Sequence, residues 1–487
     1  MSSIGMSSAA SRLLQRTGPA PLVVGAVLAF GGVLLMVPAE TLAKAGVVVL
    51  VASVAAVWPM PFLIAALALA AGLDYSLGIE LPVLVQLSGF RVTTTDALIV
   101  LMAAIGFVEL VRRHEGPVFW KPLALLFGCV VLSWIVGTLN GTTDFHRGLN
   151  ELRYLEPYAL YFGGVGIVGS RTRLSMLKYF CFAAIVLSVA RQLWQISSGT
   201  FSRETTVELG NAATQVPYVR LALLEFVLIG TVIAFLLLLS RGFRPWLLAL
   251  EAVALAGIVV QLSRQWLGFT AIALLTAITI RRPRKQWQVI AVGVLIAASV
   301  VALVPVLQSA IAPEYGGSVL GVVSSRFGEI PEQGLQAQSA MGRFITNREM
   351  WQIFKAEPVF GLGPGQSFED SGFFFTDVGF LNTLVRYGIV GLAAVFVLIG
   401  SVVVQARRTI RRVADDELEA YAIASIAVLL GFVAGYAFTQ DFFTLYPTGV
   451  VMAMILVDRA GAASRRCPPA VPRVRPVVAV RRPVLVR

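Results

Sequence analysis

Apolar residues in this chain come in runs rather than stripes. Fourteen runs can be read, at approximately 21–37, 42–58, 60–73, 95–111, 122–138, 153–170, 175–197, 219–240, 245–262, 265–280, 287–307, 387–406, 420–438 and 444–458. A helix that crosses hydrocarbon needs ~20 mostly apolar residues, with a range of about 17–25. Most runs approach that length; 60–73 and 444–458 are short, and either reads as re-entrant. The first run is followed by Ala43-Lys44-Ala45, the small-residue spacing of a cleavage site. That run is long for a signal segment and its flank is weakly basic, so it reads as an uncleaved first span.

Composition agrees with a membrane solvent. Hydrophobic residues make up 57% of the 487, charged residues 14%, and mean hydropathy is +0.80. A soluble domain carries roughly 25% charge, so a soluble enzyme is excluded, as are a disordered chain and a disulfide scaffold. The three cysteines, Cys129, Cys181 and Cys467, form no pair, CxxC or Cys/His cluster that would suggest a disulfide or a metal.

The net charge of +12 reports orientation before it reports nucleic acid, and no nucleic-acid partner is expected. Of the 39 basic residues, 26 fall after alternate runs: Arg12/Arg16, Arg112/Arg113/Lys121, Arg171/Arg173/Lys178, Arg241/Arg244, Arg281/Arg282/Arg284/Lys285, Arg407/Arg408/Arg411/Arg412 and the tail from Arg459 to Arg487. They share one face only if the number of spans is even and both termini are cytoplasmic. Fourteen spans satisfy this, and twelve do if both short runs are lost. The expected fold is an all-α integral membrane bundle of about 12–14 helices. Its parts are a bundle at 1–307, a large outer loop at 308–386 carrying a helix at 340–357, further spans at 387–458, and a basic disordered cytoplasmic tail at 459–487. The tail's charge suits anionic lipid.

The other basic residues lie mostly at or beyond the outer boundary, against the bias: Arg153, Arg191, Arg203, Arg220, Arg264, Arg326, Arg343, Arg348, Lys355 and Arg386. An arginine inside a membrane helix costs roughly 2.5–3.5 kcal/mol on insertion scales, and therefore pairs with something or binds something. Glu225 is a candidate to pair with Arg191 and hold two helices together, and Arg264 is placed to snorkel to headgroups. The cluster as a whole points to an anionic ligand, since the planar guanidinium matches phosphate oxygens.

Within the large loop, residues 339–357 (SAMGRFITNREMWQIFKAE) read as a helix ended by Pro358. Met341, Phe344, Ile345 and Trp351 lie on one side and Met350, Ile353 and Phe354 on the other, which predicts burial on both. The stretch Pro358-Val-Phe-Gly-Leu-Gly-Pro-Gly365 follows, where backbone can approach a ligand closely. It lacks the GK[ST] of a nucleotide-binding loop, so an ATPase or kinase has no support.

The order Gly342-Arg343…Trp351…Pro358…Gly361-Leu-Gly363…Gly365, then Leu381-x-x-Leu384-x-Arg386-x-Gly388-Ile-Val-Gly391, resembles the O-antigen ligase/polymerase superfamily. The Leu262-Ser263-Arg264 step and the late long loop are similar to that family too. The resemblance implies a cofactor-free, metal-independent membrane glycosyltransferase of the C-type architecture. It would work at the periplasmic face of the bacterial inner membrane, on a glycan carried by undecaprenyl diphosphate. Other polysaccharide-assembly proteins are its expected company. Family ligases typically carry His-Asn where this chain has Asp377-Val378, and Glu where it has Arg386. The only histidines here are His114 and His146, outside the long loop, which favours polymerase over ligase.

A diphosphate leaving group without a metal needs fixed cations. Arg264 with Arg220 or Arg191 is expected to supply them. Asp377, at the family's His position, is the expected base for the acceptor hydroxyl, with Glu349 and Glu208 in reserve; these two and Arg348 are expected substrate contacts, and Arg343 either orients a substrate phosphate or braces the loop. The alternative for Asp377 is the N-cap of the following helix. A transporter and a structural scaffold for glycan assembly are the competing classes; the spans show no inverted repeat of the kind many transporters carry.

Overall fold

The computed structural model describes residues 50–74, 81–87, 90–198, 223–241, 244–260, 264–281, 338–365, 379–436 and 447–466, with a few single positions between 291 and 302. The first apolar run with its Ala43-Lys44-Ala45 step, all but those few positions of the run 287–307, and the tail beyond Arg466 lie outside the described residues. The chain forms two units, residues 1–59 and 60–487. Of the first, 50–59 is described, with 50–57 helical.

The architecture is all-α and polytopic. Helix α1 (Pro59–Ala70) precedes a short antiparallel hairpin of β1 (Val83–Leu87) and β2 (Phe90–Thr93), with Leu87 opposite Phe90. This hairpin is the departure from helix among the described residues that the run pattern did not anticipate. It feeds α2 (Thr94–Arg113) through a capping box, in which Asp96 accepts from the Thr93 N–H at 2.6 Å and Thr93 Oγ1 accepts from the Asp96 N–H. Then come α3 (Trp120–Leu139), the short amphipathic α4 (Phe145–Leu152), a 3-10 stretch (Arg153–Ala159) and α5 (Leu160–Ile167). The long α6 (Arg171–Ser198) is followed by α7 (Leu224–Arg241), α8 (Pro245–Val260) and α9 (Arg264–Arg281). Last are α10 (Gln338–Ala356), α11 (Gly379–Arg412), α12 (Asp416–Tyr436) and α13 (Pro447–Arg466).

Among the described residues six helices are long and apolar enough to cross a membrane: α2, α3, α6 as far as Gln195, α7, α11 and α12. Helices α8 and α9 are shorter apolar helices. They pack as membrane helices do, with small residues letting backbones approach. A Cβ on Gly106 of α2 would overlap the Gly163 backbone of α5, and one on Gly435 of α12 would overlap the Phe269 ring of α9. Helix α7 is buried all round, and its residues from Glu225 to Leu239 touch no solvent or lipid of note. It is the central post of the bundle.

One end of the bundle gathers the basic loops that the run pattern placed on a common face. Arg171 pairs with Asp415 at 2.5 Å and Lys178 with Glu417 at 2.6 Å. Arg241 also reaches Glu417, at 3.0 Å. Arg281 bonds Asp416 at 2.9 Å and also Glu419. Arg459 bridges Glu115 and Asp458, each at 2.9 Å, while Asp458 accepts from the Tyr161 hydroxyl at 2.6 Å. The starts of α6, α12 and the ends of α7, α9 and α13 therefore meet in one layer.

Candidate functional site

The opposite end holds the glycine-rich segment that follows α10. Pro358 cannot continue that helix, and the chain turns back along the start of α11. Main-chain bonds tie the two strands of chain together. The Leu362 N–H donates to the Val385 carbonyl at 2.8 Å and the Gly363 N–H to the Arg386 carbonyl at 2.9 Å. In return, the Ile389 N–H donates to Pro358 at 2.9 Å and the Val390 N–H to Val359 at 3.2 Å. Such pairing is open to a helix only where its own ladder is broken. Helix α11 is broken at Gly388, whose φ of +64° and ψ of −169° are non-helical.

Glycine is required at two of these positions. Gly361 has φ +67°, and a Cβ there would meet the Val385 oxygen and the Arg386 carbonyl carbon at 2.6 Å. A Cβ on Gly388 would overlap the Val359 carbonyl. In this segment the close backbone approach is to α11.

Helix α3 and the loop after it complete the clasp. Ser133 Oγ donates to the carbonyls of Phe360, at 2.6 Å, and Arg386, at 2.8 Å. Thr142 and Thr143 both donate to the Leu362 carbonyl, at 2.8 and 2.6 Å. The Arg386 side chain, 4% exposed, runs to Glu151 on α4 with Nη1 3.0 Å from Oε2. Ser133, Thr142, Thr143 and Glu151 went unnoticed in the sequence. Their partners lie more than 200 positions away, so no local spacing marks them.

Helix α10 rests on this clasp by one side. Met350 and Phe354 are buried against Leu381 and Val385, with Ile353 and Leu384 packed beside them. Trp351 is 45% exposed. Burial on both sides, as the sequence pattern led one to expect, does not hold at Trp351. Arg348 and Glu349, expected substrate contacts, are exposed on the same helix. Arg343 falls on α10 and Arg264 opens α9, and nothing further is described of either side chain. Asp377, Arg220 and Glu208 lie outside the described residues.

Arg191 sits two turns before the end of α6. Its Nη1 is buried and has no hydrogen-bond partner among the described residues. Glu225, weighed as its partner, is engaged elsewhere. It accepts from the Thr448 hydroxyl at 2.6 Å and from the Gly449 N–H, capping α13. Next to Arg191, Gln192 donates to the Gly257 carbonyl of α8 at 3.1 Å. Arg153, grouped with the outer cations, is ion-paired to Asp96 at 2.5 Å. Among the described residues no group of three or more His, Cys, Asp or Glu side chains is placed to hold a metal. Cys129 and Cys181 are free and buried.

What this end of the molecule offers chemically is a guanidinium nitrogen without an acceptor among the described residues, and a main-chain footing for the segment that follows α10. No curated protein matches the chain. A family model described as O-Antigen ligase matches residues 249–396, a segment that runs from α8 through the clasp to the middle of α11. The chain is a multi-pass membrane protein whose segment 249–396 is similar to the O-antigen ligase family, a likeness consistent with the O-antigen ligase/polymerase kind of membrane enzyme.

Proposed function

We propose that the protein is a polysaccharide polymerase. It joins oligosaccharide repeat units carried on undecaprenyl diphosphate into a surface polysaccharide, at the outer face of the bacterial inner membrane and without a metal. The observation that carries this reading is the match over 249–396, because that segment contains both Arg264 at the start of α9 and the clasped root of the outer loop. The absence of any histidine between His146 and the C-terminal residue Arg487 favours polymerase over ligase.

In the reaction, the bond between the sugar's anomeric carbon and the diphosphate oxygen breaks. A hydroxyl oxygen of the acceptor repeat unit bonds to that carbon, and its proton passes to the Asp377 carboxylate. The diphosphate departs on its lipid, its growing negative charge met by Arg264 with Arg220 or Arg191. Arg343 and Arg348 bind substrate phosphate, with Glu349 and Glu208 as contacts to sugar hydroxyls. The outer loop, 308–386, covers the site. Both termini and the ion-paired end are cytoplasmic.

The test is reconstitution of the purified protein with undecaprenyl-diphosphate-linked repeat units, EDTA and no nucleotide, read as a ladder on a glycan gel. A ladder supports the polymerase. A single transfer to an added acceptor, with no ladder, would make it a ligase. Intact donor under every condition would leave transport.

A further inference from the structure

We infer that the Glu151–Arg386 ion pair is a positioning latch for the transfer reaction: it fixes the root of the outer loop, and through it α10, over the membrane bundle. This rests on the transferase reading above. Arg386 is used at both ends. Its side chain reaches Glu151 on α4 at 3.0 Å, while its carbonyl accepts from Ser133 on α3 at 2.8 Å and from the Gly363 N–H at 2.9 Å. One residue thereby joins α3, α4, the glycine-rich root and α11.

Apolar packing would hold the root without any charge, and it already does so next door. Met350 and Phe354 of α10 bury themselves on Leu381 and Val385. A buried ion pair adds little net stability over an apolar replacement; where it helps, it selects one arrangement among several. Apolar contacts tolerate sliding, whereas a directional, charge-assisted hydrogen bond such as Arg386 Nη1 to Glu151 Oε2 does not. The position so selected is that of α10, which carries the exposed Arg348 and Glu349. Neither Glu151 nor Arg386 needs to touch substrate for this; both act through the helix they seat.

The test uses the full chain with Cys467→Ser. Glu151→Gln and Arg386→Gln are compared with the exchanged pair, Glu151→Arg with Arg386→Glu. Spin labels at Leu139→Cys on α3 and Lys355→Cys on α10 report where α10 sits, whether or not polymer forms; both positions are exposed. The expected distance distribution is narrow in the parent, broadened in each single variant and narrow again in the exchanged pair. Turnover should fall on the order of 10-fold or more in each single variant at equal folded protein, since small misplacements near a reacting centre are costly. It should recover in the exchanged pair. An unchanged distribution in Glu151→Gln would overturn the latch, as would activity that falls only in step with folded yield. Should the single variants not fold, a folded exchanged pair that is inactive or broadly distributed overturns it equally. A parent that leaves the donor intact with every acceptor but shows the expected distances sinks the transferase reading, and leaves standing only the seating of α10 by the ion pair.

Discussion

At the scale of single residues, the described end of the site is governed by what is absent from side chains as much as by what is present. Gly361 is held at φ +67° against the Arg386 carbonyl. Gly361→Ala should therefore lower stability by about 1–2 kcal/mol from the left-handed conformation alone, and by more if the root must shift. Thermal unfolding in detergent, with equal membrane insertion as control, measures it. Arg191 makes the opposite kind of prediction. Its buried Nη1 has no acceptor among the described residues, so removing it should cost activity rather than fold. Arg191→Ala is expected to reduce polymer formation on the order of 100-fold, with Arg191→Lys recovering little, since an ammonium cannot present the same fork. Full activity in Arg191→Ala would remove it from the leaving-group site. Arg191 was legible in the sequence because a charge inside an apolar run stands out. Glu151 was not, because a glutamate in a short polar loop has no such contrast. The partner that makes it matter, Arg386, is 235 positions away.

At the scale of elements, helix ends do most of the work. Asp415 opens α12, accepting from the N–H groups of Glu417 and Leu418 at 2.9 and 3.1 Å. Burial alone would raise its carboxyl, but the Arg171 guanidinium and these two N–H groups outweigh it and hold the group below the ordinary carboxylate range. A group lowered in this way stabilises the fold above that range, and the stabilisation is lost as pH falls through the lowered value. Asp415→Ala should cost about 1 kcal/mol at neutral pH, with the difference from the parent vanishing in acid. Asp415→Asn keeps the cap, and should cost less than ~1 kcal/mol because Arg171 and Asp415 are both partly exposed. Unfolding midpoints across pH decide between cap and charge. Most helices were legible from run length, and the stop at Pro358 from its ring. The break at Gly388 was not, because a glycine inside an apolar run is common in membrane helices. Only the incoming carbonyl of Val359 shows why that one bends the ladder. The hairpin at 83–93 was lost for a related reason: two short strands beside strong apolar runs carry too little alternation to register.

For the whole molecule, the ion-paired layer and the clasp define two ends, and their sides can be checked directly. Gly116 faces open space between α2 and α3 near Glu115, and His146 is exposed on α4 beside the clasp. In a Cys467→Ser background the buried Cys129 and Cys181 should stay unlabelled. An impermeant thiol reagent added to spheroplasts is expected to label His146→Cys and not Gly116→Cys. The reverse pattern would turn the protein over and place the clasp in the cytoplasm. The paired layer also bears on how such a chain enters the bilayer. Insertion machinery reads lysines and arginines strongly and acidic residues weakly, and it reads them before distant helices have met. Arg171, Lys178, Arg241 and Arg281 thus present their full charge while each helix is being threaded. Only later does the α11–α12 turn bring Asp415, Asp416, Glu417 and Glu419 against them. On the proposed orientation, the same cations serve first as an address and then, once neutralised, as the rivets of the assembled bundle.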